Sequence, residues 1–251
     1  MNLKEFDYEF DLNGYVVLKN IINKSRINKI NKILISLEKK KESELPHSVY
    51  FGKKKNKSEA YISNILAADK EFEKIAIIPK ILGIMKHITS NFFRLNHAVA
   101  MTKFKKNTYT YLHMGNLPSH PKIFYFVKNE KIFSNVTKVL FPICNNTEKN
   151  GGFAVIPGSH KANFNRPYSD NPKDNKLLKY INAKPGDAVI FTEALAHGSM
   201  INKTNNVRRI LSYCYSVAYM PDWTKLNLKY SKEYFKKAPA KIKNLIKVYK
   251  G

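Results

Sequence analysis

The sequence predicts a mainly β (α+β) chain, a jelly-roll core of short strands with flanking N-terminal helices. Three observations carry this. From about Phe92 onward, segments near 92–105, 108–114, 122–128, 136–143, 151–156, 186–191, 197–201 and 207–218 are rich in Val, Ile, Phe and Tyr, the residue types that suit a pleated, half-buried surface. Turn signals separate several of them: Asn145-Asn146, Asn150-Gly151-Gly152, Pro157-Gly158 and Pro185-Gly186-Asp187. Ahead of them the apolar residues recur at helical spacing instead. Eight short strands in succession imply a sandwich or a closed barrel.

In chain order, Gly14–Lys19 reads as a short β-branched strand. Ser25–Lys41 follows as a helix, with Ile27, Ile30, Leu34 and Leu37 on one face, Ser25 as its N-cap and Pro46 closing the region. Residues 51–60, FGKKKNKSEA, read as an exposed loop, and Asp69–Ser90 as helical with a restart at Pro79. Lys225–Gly251 is Lys-rich and partly helical over Ala238–Tyr249. The 251 residues are expected to form one domain: a helical flank over about 20–90, a β core over about 92–218 and a basic C-terminal segment over 225–251.

With 43% hydrophobic residues the chain can bury a sizeable core. No apolar run approaches the roughly 20 residues needed to span a bilayer. The N-terminal MNLKEFDYEF lacks the basic end and apolar stretch of a secretion signal, so a soluble, cytoplasmic protein is expected. Cys144 and Cys214 make neither a disulfide framework nor a zinc spacing and read as buried, reduced thiols. The formal net charge is +25, nearly all from Lys, with Arg only at 26, 94, 166, 208 and 209. Such charge suits nucleic acid, an anionic membrane surface or an anionic small-molecule substrate. Lys, Asn and Ile are also what A/T-rich codons supply, and no zinc finger or other nucleic-acid motif is present. Sequence-specific nucleic-acid binding is therefore not expected.

Three segments carry the chemistry: Tyr111-Leu112-His113-Met114-Gly115; Gly151-Gly152-Phe153-Ala154-Val155-Ile156-Pro157-Gly158-Ser159-His160-Lys161; and Gly186–Phe191 followed by Ala196-His197-Gly198-Ser199, Asn202 and Val207-Arg208-Arg209. In this order and separation they resemble the phytanoyl-CoA dioxygenase family of Fe(II)/2-oxoglutarate oxygenases, from Gly14-Tyr15-Val16-Val17 to about Tyr219. The resemblance implies a cupin-like double-stranded β-helix, with Fe(II) and 2-oxoglutarate as cofactors and O2 as co-substrate. It implies His113 and His197 as metal ligands and Arg208 as the partner of the far carboxylate of 2-oxoglutarate. Arginine suits that task, being always charged and two-pronged. Strand alternation agrees: Arg208, Ile210, Ser212, Cys214 and Ser216 share one face, and Arg209, Leu211, Tyr213, Tyr215 and Val217 the other. Ser199, two residues after His197, and Tyr125 are further candidates for cofactor contact. His160 reads as structural, His97 as an ordinary surface or core residue, and Asp187 as the cap of a turn.

One departure matters. The family pattern at the first motif is His-x-Asp, and here it is His113-Met114-Gly115. Three readings follow. Glu193, four residues before His197, or water completes the metal shell and an aliphatic C–H bond is hydroxylated. Chloride fills the position vacated at Gly115, as in related aliphatic halogenases, and halide is transferred. Or the barrel is a non-catalytic basic binding protein.

Overall fold

The protein was analysed as a computed structural model that describes residues 1–53, 58–104, 109–115, 122–220 and 230–247, without the side chain of residue 53. The helices among these residues are α1 (Leu3–Asn13), α2 (Lys24–Lys39), α3 (Lys70–Ala76), α4 (Pro79–Ile88), α5 (Lys232–Lys237) and α6 (Ala240–Ile246). The strands are β1 (Tyr15–Leu18), β2 (Tyr50–Lys53), β3 (Glu59–Ser63), β4 (Phe93–Lys103), β5 (Thr110–His113), β6 (Tyr125–Lys128), β7 (Lys131–Ser134), β8 (Val136–Pro142), β9 (Phe153–Val155), β10 (Lys179–Tyr180), β11 (Ala188–Thr192), β12 (His197–Ser199) and β13 (Arg208–Val217). A seven-stranded sheet runs β1-β11-β8-β13-β4-β3-β2, a four-stranded sheet runs β10-β9-β12-β5, and β6-β7 form a separate hairpin. The pairings are antiparallel. This is the jelly roll that the spacing of strands and turns predicts.

The large sheet has two buried faces with different duties. On the outer face Leu211, Tyr213 and Tyr215 of β13 pack under the helical flank. The Tyr213 and Tyr215 hydroxyls donate to the carbonyls of Phe72 and Ala76, both at 2.9 Å, which ties the sheet to α3 and satisfies the terminal acceptor at Ala76. Phe6 and Phe10 of α1, Ile27, Ile30, Leu34 and Leu37 of α2, and Ile81, Ile84, Met85 and Ile88 of α4 complete this layer. Each such side chain contributes about 1.5–3 kcal/mol on burial. The inner face of the sheet looks across a cavity toward the small sheet.

Several local expectations are revised. α1 comes from a short pattern, Phe6 and Phe10 one turn apart, between an Asn2–Glu5 capping box and a left-handed Gly14. The N-cap of α2 is Asn23 rather than Ser25: its side chain accepts from the Arg26 amide at 2.9 Å. Residues 51–60 are not simply a loop. β2 and β3 extend the large sheet, because Ala60 and Ile62 alternate with Glu59 and Tyr61 and bury one face of the strand. The intervening lysines masked that alternation in the sequence. The C-terminal segment holds two short helices, α5 and α6, separated at Pro239. Cys214 is buried and Cys144 half-buried, and neither is in a disulfide. None of the described helices is long and apolar enough to cross a membrane.

Candidate metal centre

The last residue of β5 and the first of β12 are cross-strand partners: His113 lies opposite His197. Their rings sit 4.0 Å apart between centroids. The strands can come this close because Gly198 has no side chain; a Cβ there would lie 2.6 Å from the Thr110 carbonyl oxygen. Each ring is fixed by its own backbone. His113 Nδ1 donates to the Tyr111 carbonyl at 3.0 Å and His197 Nδ1 to the Leu195 carbonyl at 2.7 Å. A carbonyl can only accept, so both Nδ1 atoms carry the proton and both Nε2 atoms keep a lone pair.

Glu193 joins the two histidines as a third candidate ligand. In an extended strand it would stand about 13 Å from His197. Instead β11 ends at Thr192, the chain turns, with the Leu195 amide donating to Thr192 at 3.0 Å, and Glu193 Oε2 comes to 3.9 Å from His197 Nε2. One ligand atom from each of His113, Glu193 and His197 lies within 4.8 Å of the other two. Glu193 and His197 are buried, while His113 sits at the open edge. The Lys138 ammonium lies 2.8 Å from both oxygens of Glu193 and hydrogen-bonds to Oε1. Oε2 is buried with no hydrogen bond. Two imidazole lone pairs and a carboxylate oxygen whose one close partner is the Lys138 ammonium converge as the donor set that a non-haem Fe(II) takes. The residues present therefore fit that metal.

The electrostatics keep the ligands in binding form. Burial pulls the His197 pKa well below its usual value, and the charges on His113 and Lys138 act the same way. Burial lowers His113 too, against the opposing pull of the Tyr111 carbonyl and Glu193. Burial would depress Lys138, but the charge of Glu193 overrides it and the net shift is upward. At neutral pH the site holds two neutral imidazoles and a carboxylate paired with an ammonium.

A cavity of about 380 Å³ opens from these ligands. At its far end Arg208 is buried, and its Nε donates to Asn146 Oδ1 at 2.9 Å. Burial draws its pKa down to about 10, which leaves it protonated at neutral pH. Its terminal nitrogens make no hydrogen bond to the described residues. Beside it Lys103 Nζ donates to Ser199 Oγ at 2.6 Å, and Ser199 Oγ donates to Thr110 Oγ1 at 2.9 Å. Lys103 and Arg208 are direct cross-strand partners on β4 and β13. Like charges so placed repel, and an anion between them removes the repulsion. His113, His197, Arg208 and Ser199 thus line one cavity.

Two expected site residues do not lie where they were placed. Tyr125 does not line the cavity. It is 4% exposed, donates to Asp11 Oδ1 at 2.8 Å and meets the His160 ring edge-on at 4.5 Å. Together with the bond between His160 Nε2 and the Asp11 carbonyl, it ties α1 to the Pro157-Gly158-Ser159 turn, a structural role. The space that a side chain at Gly115 would take is occupied. Gly115 has a φ of +88°, and a Cβ built on it would lie 2.3 Å from the Ala196 Cβ. Its direction is filled by protein, and it is absent from the cavity wall. The residues that sequence reasoning missed are Lys103, Lys138, His97 and Tyr61, all on the wall. Their shared signal is a polar residue on the buried face of a strand, as in Val136-Thr137-Lys138-Val139-Leu140.

A family model described as phytanoyl-CoA dioxygenase matches residues 10–210. The chain belongs to this family. It is 24% identical over 230 residues to the human peroxisomal phytanoyl-CoA dioxygenase, covering 81% of this chain and 65% of that protein, so it spans less than two thirds of that relative's length. A dioxygenase trt7 of Aspergillus terreus is 40% identical over 63 residues, 25% of this chain and 21% of that one. Among solved structures, HygX from Streptomyces hygroscopicus with nickel, 2-oxoglutarate and hygromycin B superimposes with a TM-score of 0.75 at 19% identity, covering 89% of this chain and 90% of the other. EctD from S. alaskensis with 2-oxoglutarate and 5-hydroxyectoine does so at 0.66 and 18%, covering 87% and 77%. These likenesses establish the family and the double-stranded β-helix fold.

Proposed function

We propose that the protein catalyses Fe(II)/2-oxoglutarate-dependent oxidation of an aliphatic C–H bond in a small molecule, with His113, Glu193 and His197 holding the metal. The observation that carries this is the convergence of one ligand atom from each of His113, Glu193 and His197, all within 4.8 Å of one another. When bound, Fe(II), 2-oxoglutarate and O2 supply an oxidant able to take a hydrogen from an unactivated carbon, leaving succinate and CO2. The chain's own part is positioning. The Tyr111 and Leu195 carbonyls hold each ring so that Nε2 points at the metal. Arg208, held by Asn146 through Nε, pairs with the far carboxylate of 2-oxoglutarate, and Ser199 adds a hydroxyl. Lys138 holds the Glu193 carboxylate in place. The walls exclude water while substrate and oxidant meet.

Hydroxylation is favoured over chloride transfer by two features. Glu193 supplies the carboxylate that Gly115 lacks, and Ala196 fills the space beside Gly115. The intact donor set also speaks against a purely binding role. Purified protein is expected to convert 2-oxoglutarate to succinate only when iron is present, and to add an oxygen atom to its substrate even in high chloride. Succinate released equally without iron would overturn the oxygenase, and a product with the chlorine isotope doublet would overturn hydroxylation.

A further inference from the structure

Beyond Arg208 and the metal ligands, the same cavity has a second polar end that the reaction described above does not use. His97 on β4 is 2% exposed and lines the cavity. Its Nδ1 is buried with no hydrogen bond, and the ring has no partner among the described residues. Tyr61 on β3 lines the same wall, and its hydroxyl also has no hydrogen bond. A buried polar atom is normally hydrogen-bonded, so an unpaired imidazole at this end points to a ligand.

Strand register locates it. His97 lies opposite Cys214 on β13, and Cys214 lies opposite Lys138 on β8, whose ammonium holds Glu193. Arg208 is six residues back along β13, about 20 Å at roughly 3.3 Å per residue. A five-carbon diacid anchored on Arg208 cannot also reach His97. His97 therefore belongs to a part of the cavity away from the carboxylate that Arg208 would hold, in the strand row of Lys138. Tyr61 lies opposite Met101, four residues along β4 from His97, and its side chain lines the same cavity wall.

We propose that His97 and Tyr61 form the substrate subsite and hydrogen-bond a hydroxyl group of a neutral, hydroxylated small molecule. This rests on the oxygenase reading above and specifies its substrate. The chemistry of the two side chains sets the class. Burial first, and then the charges of Lys138 and Arg94, hold the His97 pKa down to about 3, so the ring is neutral and offers one donor and one acceptor. Burial likewise raises the Tyr61 pKa, so the phenol keeps its proton and can both donate and accept. A hydroxyl can do the same and complements both. A carboxylate would instead face the negative charge of Glu193, and Lys138 is already committed to Glu193. The cavity is large enough for a ring-sized molecule next to 2-oxoglutarate.

The test uses protein loaded with Ni(II) and 2-oxoglutarate, which does not turn over, and measures binding calorimetrically. The probes are myo-inositol, a neutral polyol, and cyclohexanecarboxylate, an anionic ring of similar size. Myo-inositol is expected to bind, and its Kd to rise about tenfold in His97→Leu and in Tyr61→Phe, the loss of about one hydrogen bond each. His97→Gln, which restores a donor and an acceptor, is expected to recover part of the affinity. A merely structural His97 would not give this rescue or the matching effect of removing one phenolic oxygen. No binding of myo-inositol, preference for cyclohexanecarboxylate, or indifference to both variants would overturn the proposal. Binding of 2-oxoglutarate in the same cells keeps the two readings apart. If it is absent, the oxygenase reading itself has failed; if it is present while myo-inositol fails, only the subsite has.

Discussion

Arg208 and Arg209 are neighbours on one strand and almost equally buried, at 5% and 8% exposure, yet their surroundings differ completely. Arg209 points to the outer face and forms a two-pronged pair with Glu38, Nε to Oε1 at 2.8 Å and Nη2 to Oε2 at 2.7 Å, with Asn31 taking a third bond. Arg208 points inward and has one neutral partner, Asn146. The first cation is saturated by protein; the second is not. Glu38 and Glu193 differ in the same way: both oxygens of Glu38 are engaged by Arg209, whereas Oε2 of Glu193 has no hydrogen bond. Buried polar groups are normally satisfied, so a deficit is more informative about function than burial itself. In this protein one such deficit, His97 Nδ1, lies on the cavity wall, and another, Glu193 Oε2, lies beside His197.

The comparison can be broken by experiment, and the largest effect should fall on the saturated arginine. Arg209→Met removes the guanidinium that pairs with the buried Glu38 carboxylate and is expected to destabilise the fold by about 3–5 kcal/mol in urea unfolding. Adding Glu38→Leu should recover most of that loss. A single substitution as harmless as the double would show that the pair is not the structural element described. Glu193→Gln comes next. It is expected to weaken Fe(II) binding by more than the roughly 10–100-fold that outer-shell partners cost, measured by metal titration under anaerobic conditions. Unchanged affinity would remove Glu193 from the ligand set. Arg208→Ala should have the reverse profile of Arg209→Met: unfolding nearly unchanged, but the KM for 2-oxoglutarate raised about 10–150-fold, the worth of a charge-assisted contact of about 1.5–3 kcal/mol. A large loss of stability with an unaltered KM would make the two arginines alike.

The smallest effect concerns pH. Burial is the first cause that holds His97 and His160 below their usual pKa, to about 3 and about 4. In the unfolded chain they protonate near pH 6.5. The unfolded state therefore binds more protons between these values, and stability is full above about pH 6.5 and falls as the pH drops toward 3 or 4. Each histidine steepens the fall by at most about 1.4 kcal/mol per pH unit. His97→Leu should flatten this limb without raising stability loss at pH 8 by the same amount, and an unchanged slope would show that His97 titrates normally.

How much could be read from the residues follows from what sets each side chain's direction. In a strand, direction alternates with period two, so the inward turn of Arg208 and the outward turn of Arg209 were legible before any coordinates. The order of His113, His197, Ser199 and Arg208 was legible for the same reason: each sits in or next to a strand whose pairing is fixed by its hydrophobic pattern. Tyr125 was misplaced because β6 belongs to a separate hairpin, whose face turns toward α1 and Asp11 rather than the cavity.

Sequence alone determined the jelly roll, the family resemblance, two of the three residues proposed as metal ligands and the missing carboxylate of the first motif. Tertiary structure decided what became of that absence. Whether Glu193 reaches the histidines depends on a turn after β11, and whether Gly115 leaves a hole depends on where Ala196 lies; neither is encoded in local spacing. His97, Lys103 and Lys138 acquire their meaning only when β4, β8 and β13 stand side by side. Contacts between strands distant in sequence are set by sheet register and by the approach of one sheet to another, and those are properties of the packed chain as a whole.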